Sequence, residues 1–205
     1  LAVGAFQASL ARSANRWLVE RLQYRAGADL TFRPMAEEGE TPWYLPLSDY
    51  LDIPGVQDGT RVGEFRADYK GPGVSFPEAL RLLGVDRLGF ERIAYWRRDY
   101  ASEPLGALMN HLALQHDGLL VPRHILAETG LEVGDKIRLE VLFGYRRKRI
   151  DFTIAGTFDY FPTMLPEEPY VVAANLDYVI QSAGVSVPWD VWLRTAPGMD
   201  AKRMR

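Results

Sequence analysis

Between Gly118 and Pro162 the apolar and polar positions alternate in a way that predicts a sequence of elements. The apolar run Gly118-Leu119-Leu120-Val121 predicts a buried strand. Pro122 follows and suits the first turn of a helix, where its missing N–H costs nothing. That helix, over about 123–129, should end at Gly130, which can take the left-handed cap that a Cβ disfavours. After a Gly134-Asp135 turn, Ile137, Leu139, Val141 and Phe143 alternate with Arg138, Glu140 and Leu142, the spacing of a half-buried strand. Beyond Gly144-Tyr145 and the basic run Arg146–Arg149, Ile150, Phe152 and Ile154 repeat that period, so the two strands should form a long antiparallel hairpin over 136–158.

The flanking chain reads in the same terms. Phe6, Leu10, Ala14, Trp17, Leu18 and Tyr24 recur at spacings of three and four, which predicts one long helix over 3–25. Arg12, Arg16, Arg21 and Arg25 lie off that stripe, as a solvated basic face or as contacts for lipid headgroups beyond a membrane segment. The period then changes to that of a strand at Gly27–Phe32. A short helix is expected over 45–53, a strand within Val56–Tyr69, and a buried strand over 79–86 with a helical turn around Phe90, Ile93 and Ala94. Further on come a helix over 105–116, a strand over 170–174, a helix over 175–182 and a last strand over 189–194. Glu37–Glu40 and Lys70-Gly71-Pro72-Gly73 read as loop and turn.

Composition narrows the function classes. With 205 residues, 47% of them hydrophobic, the chain can bury a real core, and its net charge of -3 creates no field that would recruit nucleic acid. Cysteine is absent, which removes disulfides, thiol catalysis and cysteine metal sites. No apolar run approaches the roughly 20 residues of a membrane-spanning helix. A start at Leu1 and a helix-like stretch running to Arg205 suggest a segment of a longer protein.

Signatures of chemistry are missing. There is no Gly-x-Ser-x-Gly elbow, and the glycines at 71 and 73 lack a Walker pattern, so no cofactor is expected. His111 and His116 stand five apart, which turns them to different helix faces, and His124 is the only other histidine, so no metal site is expected. The basic run Arg146–Arg149 is the best nucleic-acid candidate, but at a hairpin tip it is expected to serve solubility. One segment stands out as a contact surface: Asp159–Pro166, a proline-bounded loop in which Tyr160, Phe161, Met164 and Leu165 either fold over the core or meet a partner, substrate or lipid.

Several phrases carry a resemblance. Leu120-Val121-Pro122, Leu126-Ala127, Gly130-Leu131, Val133-Gly134-Asp135 and Ile137, closed by Phe152-Thr153-Ile154-Ala155-Gly156, together resemble the extracytoplasmic domain of FtsX-like, MacB-type ABC transporter permeases. Asp52-Ile53-Pro54-Gly55-Val56 and Leu83-Gly84-Val85-Asp86 with Phe90 and Ala94–Arg97 are similar to further parts of that family, in the expected order.

The resemblance implies an α+β (mixed α/β) domain of the periplasmic core type, with antiparallel or mixed sheets and a long N-terminal helix. It implies two lobes: 1–69 opens a sheet-and-helix lobe, 70–165 forms an inserted middle lobe, and 166–205 returns to the first. It places the domain on the extracytoplasmic side of a cell membrane. The implied partners are an ABC ATP-binding subunit, a second permease copy or half, and an extracytoplasmic substrate, with no nucleic acid. ATP hydrolysis would lie on the separate subunit, and this domain would transmit the movement without catalysing. The rival readings are a soluble, hydrolase-like enzyme whose site assembles only in the fold, and a plain interaction domain.

Overall fold

A computed structural model describes residues 14, 17–34, 44–69, 79–168 and 170–199. The fold is mixed α+β. Its helices are α1 (17–26), α2 (Leu47–Leu51), α3 (Phe90–Ile93), α4 (Leu105–Leu114), α5 (Arg123–Thr129) and α6 (Leu176–Ala183). The strands are β1 (Leu30–Phe32), β2 (Val56–Tyr69), β3 (Leu80–Val85), β4 (Gly118–Pro122), β5 (Lys136–Phe143), β6 (Arg146–Phe158), β7 (Val171–Asn175) and β8 (Asp190–Thr195).

The strands form one mixed sheet in the order β1-β8-β2-β3-β7-β4-β6-β5, which draws strands from all three of the stretches 1–69, 70–165 and 166–205. A further pairing of β2 with β5 closes part of it. The long β2 makes this possible. Its first half pairs antiparallel with β8 from Val56 to Val62, and its last residues, Arg66–Tyr69, pair with Leu142–Leu139 of β5. Strands β2, β3, β7, β4, β6 and β5 therefore make a closed hydrogen-bonded ring, with β8 and β1 extending from one side. Closure satisfies backbone groups that an open edge would leave free.

Strand alternation divides the core between the two faces of this ring. Inside lie Phe65 and Ala67 of β2, Leu82 of β3, Val172 and Ala174 of β7, Leu119 and Val121 of β4, Leu139 and Val141 of β5, and Ile150, Phe152 and Ile154 of β6. Leu176 and Val179 of α6 join that cluster. The intervening positions Val62, Leu83, Val85, Leu120, Val171 and Ala173 face outward, where α3 and α4 cover them with Phe90, Ile93, Leu105, Leu108, Met109 and Leu112. Each large apolar side chain fully buried in this way stabilises the fold by about 1.5–3 kcal/mol relative to exposure.

One irregularity redirects the chain. Leu119 pairs with Ile154 but Leu120 pairs with Gly156, so β6 carries an extra residue at Ala155. A bulge of this kind reverses the alternation. Phe158 thereby leaves the inner face of Ile150, Phe152 and Ile154 and enters the outer cluster, beside the segment that follows β6.

The expected elements that fall within the described residues are present with small changes of boundary. Pro122 precedes α5 as its N-cap, with φ -58° and ψ 139°, so it stands one position before the first turn predicted for it. Gly130 caps α5 with φ 71°, and its N–H donates to the Leu126 carbonyl at 2.8 Å. An added Cβ there would meet no atom within 4 Å. Gly130→Ala should therefore cost only the backbone penalty, about 1–2 kcal/mol in urea unfolding; a much larger loss would reveal a tertiary role for this turn.

The basic run needs a correction. Only Gly144 and Tyr145 occupy the hairpin tip, and Arg146–Arg149 lie within β6, because Phe143 already pairs with Arg146. Arg147 contacts Glu140 at 3.0 Å and Asp68 at 3.6 Å, and Arg149 contacts Glu140 at 3.7 Å. Lys148 donates to the Ser182 carbonyl at 3.3 Å. Much of the run's charge thus faces carboxylates on neighbouring strands.

The long N-terminal helix is described only over 17–26, besides residue 14; the rest of the predicted 3–25 span lies outside the described residues. So do the Glu37–Glu40 loop, the Lys70–Gly73 turn, and residues 200–205. No helix among the described residues is long and apolar enough to cross a membrane.

Candidate functional site

Where α1 leaves the body of the domain, a cavity of about 780 Å³ opens beneath it. Trp17, Glu20, Arg21 and Tyr24 of α1 form one wall; Arg97, Asp99, Tyr100, His124, Asp159, Tyr160 and 164–166 form the other. The volume lies within the range of about 300–1,000 Å³ typical of small-molecule sites.

Gly27 sets how α1 departs. With φ 84° it ends the helix in a left-handed turn, and its N–H donates to the Gln23 carbonyl at 2.7 Å. Its own carbonyl accepts from Tyr95 N–H at 2.7 Å, which fixes the foot of α1 to the loop after α3.

The 159–166 segment is fixed by main-chain bonds. The Asp159 and Tyr160 N–H groups both donate to the Tyr100 carbonyl, at 2.7 and 3.0 Å. Thr163 N–H donates to the Tyr24 carbonyl of α1 at 2.9 Å. Thr163 takes φ 66°, a conformation that strains a β-branched residue. Arg81 of β3 holds it there, donating to the Thr163 carbonyl at 2.9 Å and to its Oγ1 at 3.3 Å, while also pairing with Glu64 and Glu168.

The four residues expected to form a contact surface are divided by this geometry. Tyr160 is 54% exposed and lines the cavity, and Leu165 lines it half-buried. Met164 also lines it but is 6% exposed, with its side chain in the outer core cluster. Phe161 is core instead. It is 0% exposed, stacked on Phe90 at 5.6 Å and packed against Phe158 at 4.9 Å and Trp96 at 5.9 Å. The bulge in β6 explains the division, because it turns Phe158 and the chain after it toward the outer cluster.

An aromatic system lines the cavity around Tyr100. Tyr24 meets its ring edge-on at 5.5 Å, and Tyr160 lies at 6.0 Å. Burial pushes the Tyr24 phenol up to about 12, with Tyr160 adding to the rise, and burial likewise raises Tyr100. Both phenols therefore stay protonated throughout the physiological range. Arg97 sits over the Tyr100 ring at 5.9 Å and pairs with Asp99 at 2.8 Å and with Glu20 of α1 at 3.4 Å. Its hydrogen bond holds Asp99 below the usual carboxylate range. Arg123 covers Asp159 at 3.1 Å, and His124 Nε2 is buried without a hydrogen-bond partner among the described residues.

The three histidines have separate neighbours. His111 faces Glu103 at 3.4 Å, His116 faces Gln181 at 3.3 Å, and His124 packs by Tyr170. Among the described residues no group of three or more His, Asp or Glu side chains is placed to hold a metal ion.

Sequence reasoning missed Trp17, Tyr24, Tyr100 and Arg97 as members of one site. Trp17 and Tyr24 gave a partial signal, lying two turns apart on one stripe of α1, but nothing local connects them to Tyr100.

No protein-family model matches the chain, and no curated protein matches it by sequence. Solved structures do resemble it. The extracellular domain of the noncanonic ABC-type transporter YknZ from Gram-positive bacteria aligns with TM-score 0.47 at 10% identity, covering 85% of this chain and 87% of that one. The periplasmic region of MacB from Actinobacillus actinomycetemcomitans aligns with TM-score 0.47 at 11% identity, covering 88% and 81%. A domain assigned to a permease protein of Porphyromonas gingivalis aligns with TM-score 0.44 at 16% identity, covering 84% and 74%. The first of these is part of an ABC-type transporter and the last part of a permease protein.

Proposed function

We propose that this chain is the extracytoplasmic domain of an ABC-type permease subunit, and that α1 carries permease movement into the cavity beneath it. The observation that carries the reading is the cavity's construction: one wall belongs to α1 and the other to the body. The α1 wall is tied to the body by Thr163 N–H to Tyr24, by the Arg97–Glu20 pair, and at its foot by Gly27. Exposed ion pairs contribute little, so Arg97–Glu20 can open and reform at low cost. A shift of α1 then changes the cavity while the closed strand ring stays intact. The ordered sequence phrases from Asp52 to Gly156 support the same reading independently.

In this scheme ATP is hydrolysed on a separate nucleotide-binding subunit, and the domain itself performs no catalysis. A second permease copy or half completes the transporter. Tyr160, Met164 and Leu165 meet the extracytoplasmic substrate or partner, with Phe161 supporting them from the core.

Because the chain contains no cysteine, the coupling can be tested with cysteines placed at Glu20 and Arg97. In the complete transporter, joining them with a reducible thiol crosslinker is expected to stop transport, and reduction should restore it. ATP hydrolysis should continue while the link is in place. Equal transport by crosslinked and reduced protein would show that α1 does not move relative to the body during turnover.

A further inference from the structure

Among the charged groups that line the cavity, only Arg21 has no oppositely charged partner among the described residues. Every carboxylate that lines it faces an arginine: Asp99 and Glu20 face Arg97, and Asp159 faces Arg123. Of the groups left over, Arg21 can only donate, while the phenol hydroxyls and His124 can donate or accept. Arg21 stacks over the Trp17 ring at 5.2 Å and makes no ion pair with a carboxylate among the described residues. The Tyr24, Tyr100 and Tyr160 hydroxyls, on rings that meet around Tyr100, make no hydrogen bond to a described residue. Two of the aromatic faces already hold a cation, Arg21 over Trp17 and Arg97 over Tyr100. The rest of the lining is His124, whose buried Nε2 has no hydrogen-bond partner among the described residues, and the apolar stretch from Met164 to Pro166.

We propose that the cavity binds an amphipathic anion, with an apolar chain or ring against the aromatic and Met164–Pro166 walls and a carboxylate- or phosphate-type head at Arg21. The phenol hydroxyls supply further donors to that head. A cationic head would meet Arg21 and Arg97 already over the Trp17 and Tyr100 faces, and a neutral head would forgo the charge-assisted contact with Arg21. This assignment rests on the reading of the cavity as the domain's contact site and adds the chemical class of what it accepts.

Three amphiphiles with the same decyl tail separate the classes: decanoate, decyltrimethylammonium and decyl maltoside. Each is titrated calorimetrically into the intact chain at neutral pH and low salt, below its micelle concentration. Decanoate is expected to bind at least about tenfold more tightly than the other two, as one charge-assisted contact implies. Arg21→Gln should abolish that preference, and Arg21→Lys should keep part of it. Arg21 is exposed, so neither variant threatens folding. Equal or tighter binding of the cationic or neutral probe, or an unchanged preference in Arg21→Gln, would overturn the anionic class while leaving the cavity as a ligand site. If none of the three binds, the contact-site reading falls as well.

Discussion

Phe161→Ala is expected to lower stability by about 3–5 kcal/mol, while the neighbouring change Tyr160→Ala should cost less than about 1 kcal/mol. Phe161 has no exposed surface and packs between Phe90, Phe158 and Trp96. Truncation would leave a hole among rings that cannot collapse into it, because Phe90 is also held by Trp192 at 5.5 Å. Tyr160 already has about half its surface in solvent, so its removal chiefly takes away part of the cavity wall. Urea unfolding of the two variants checks the contrast. A small loss for Phe161→Ala would mean that the 159–166 segment detaches readily, which would restore Phe161 as a contact residue.

Gly27→Ala is the second change with a large expected effect, about 2–5 kcal/mol. Two costs combine there. At φ 84° an alanine carries backbone strain of about 1–2 kcal/mol, and its Cβ would overlap the indole of Trp192. That ring is buried against Phe90, so it cannot swing aside freely, and overpacking of this kind adds about 1–3 kcal/mol. The comparison with Gly130→Ala isolates the second cost, because Gly130 shares the left-handed conformation but has open space around it. Equal losses for the two variants in the same unfolding experiment would show that Trp192 moves aside. A larger loss at Gly27 should be accompanied by weaker ligand binding, since the turn fixes where α1 stands over the cavity.

The contact segment shows how far local pattern reaches. Tyr160, Phe161, Met164 and Leu165 were recognisable as a concentration of large apolar groups between prolines. Whether each one faced in or out was not, because a loop has no period from which to read its faces. The answer depended on the bulge at Ala155, a mismatch between β4 and β6 that neither strand's own sequence reveals. The basic run is a similar case. Its composition was plain, but its position in a strand rather than at the tip follows from the pairing of Phe143 with Arg146.

What the sequence determined by itself is the set of elements and their buried faces. Ile137 to Phe143 and Ile150 to Ile154 alternate because a strand turns successive side chains to opposite sides, and Gly130 ends α5 because that position needs a left-handed residue. Those causes act within a few residues, so they can be read along the chain. The tertiary structure alone decided that Arg66–Tyr69 would meet β5 and close the ring. It alone brought Trp17, Tyr24, Arg97, Tyr100 and Tyr160 around one cavity. Closure and cavity both join groups far apart in sequence. Their meeting depends on strand order and on the path of α1 from Gly27, and side-chain periodicity carries no information about either.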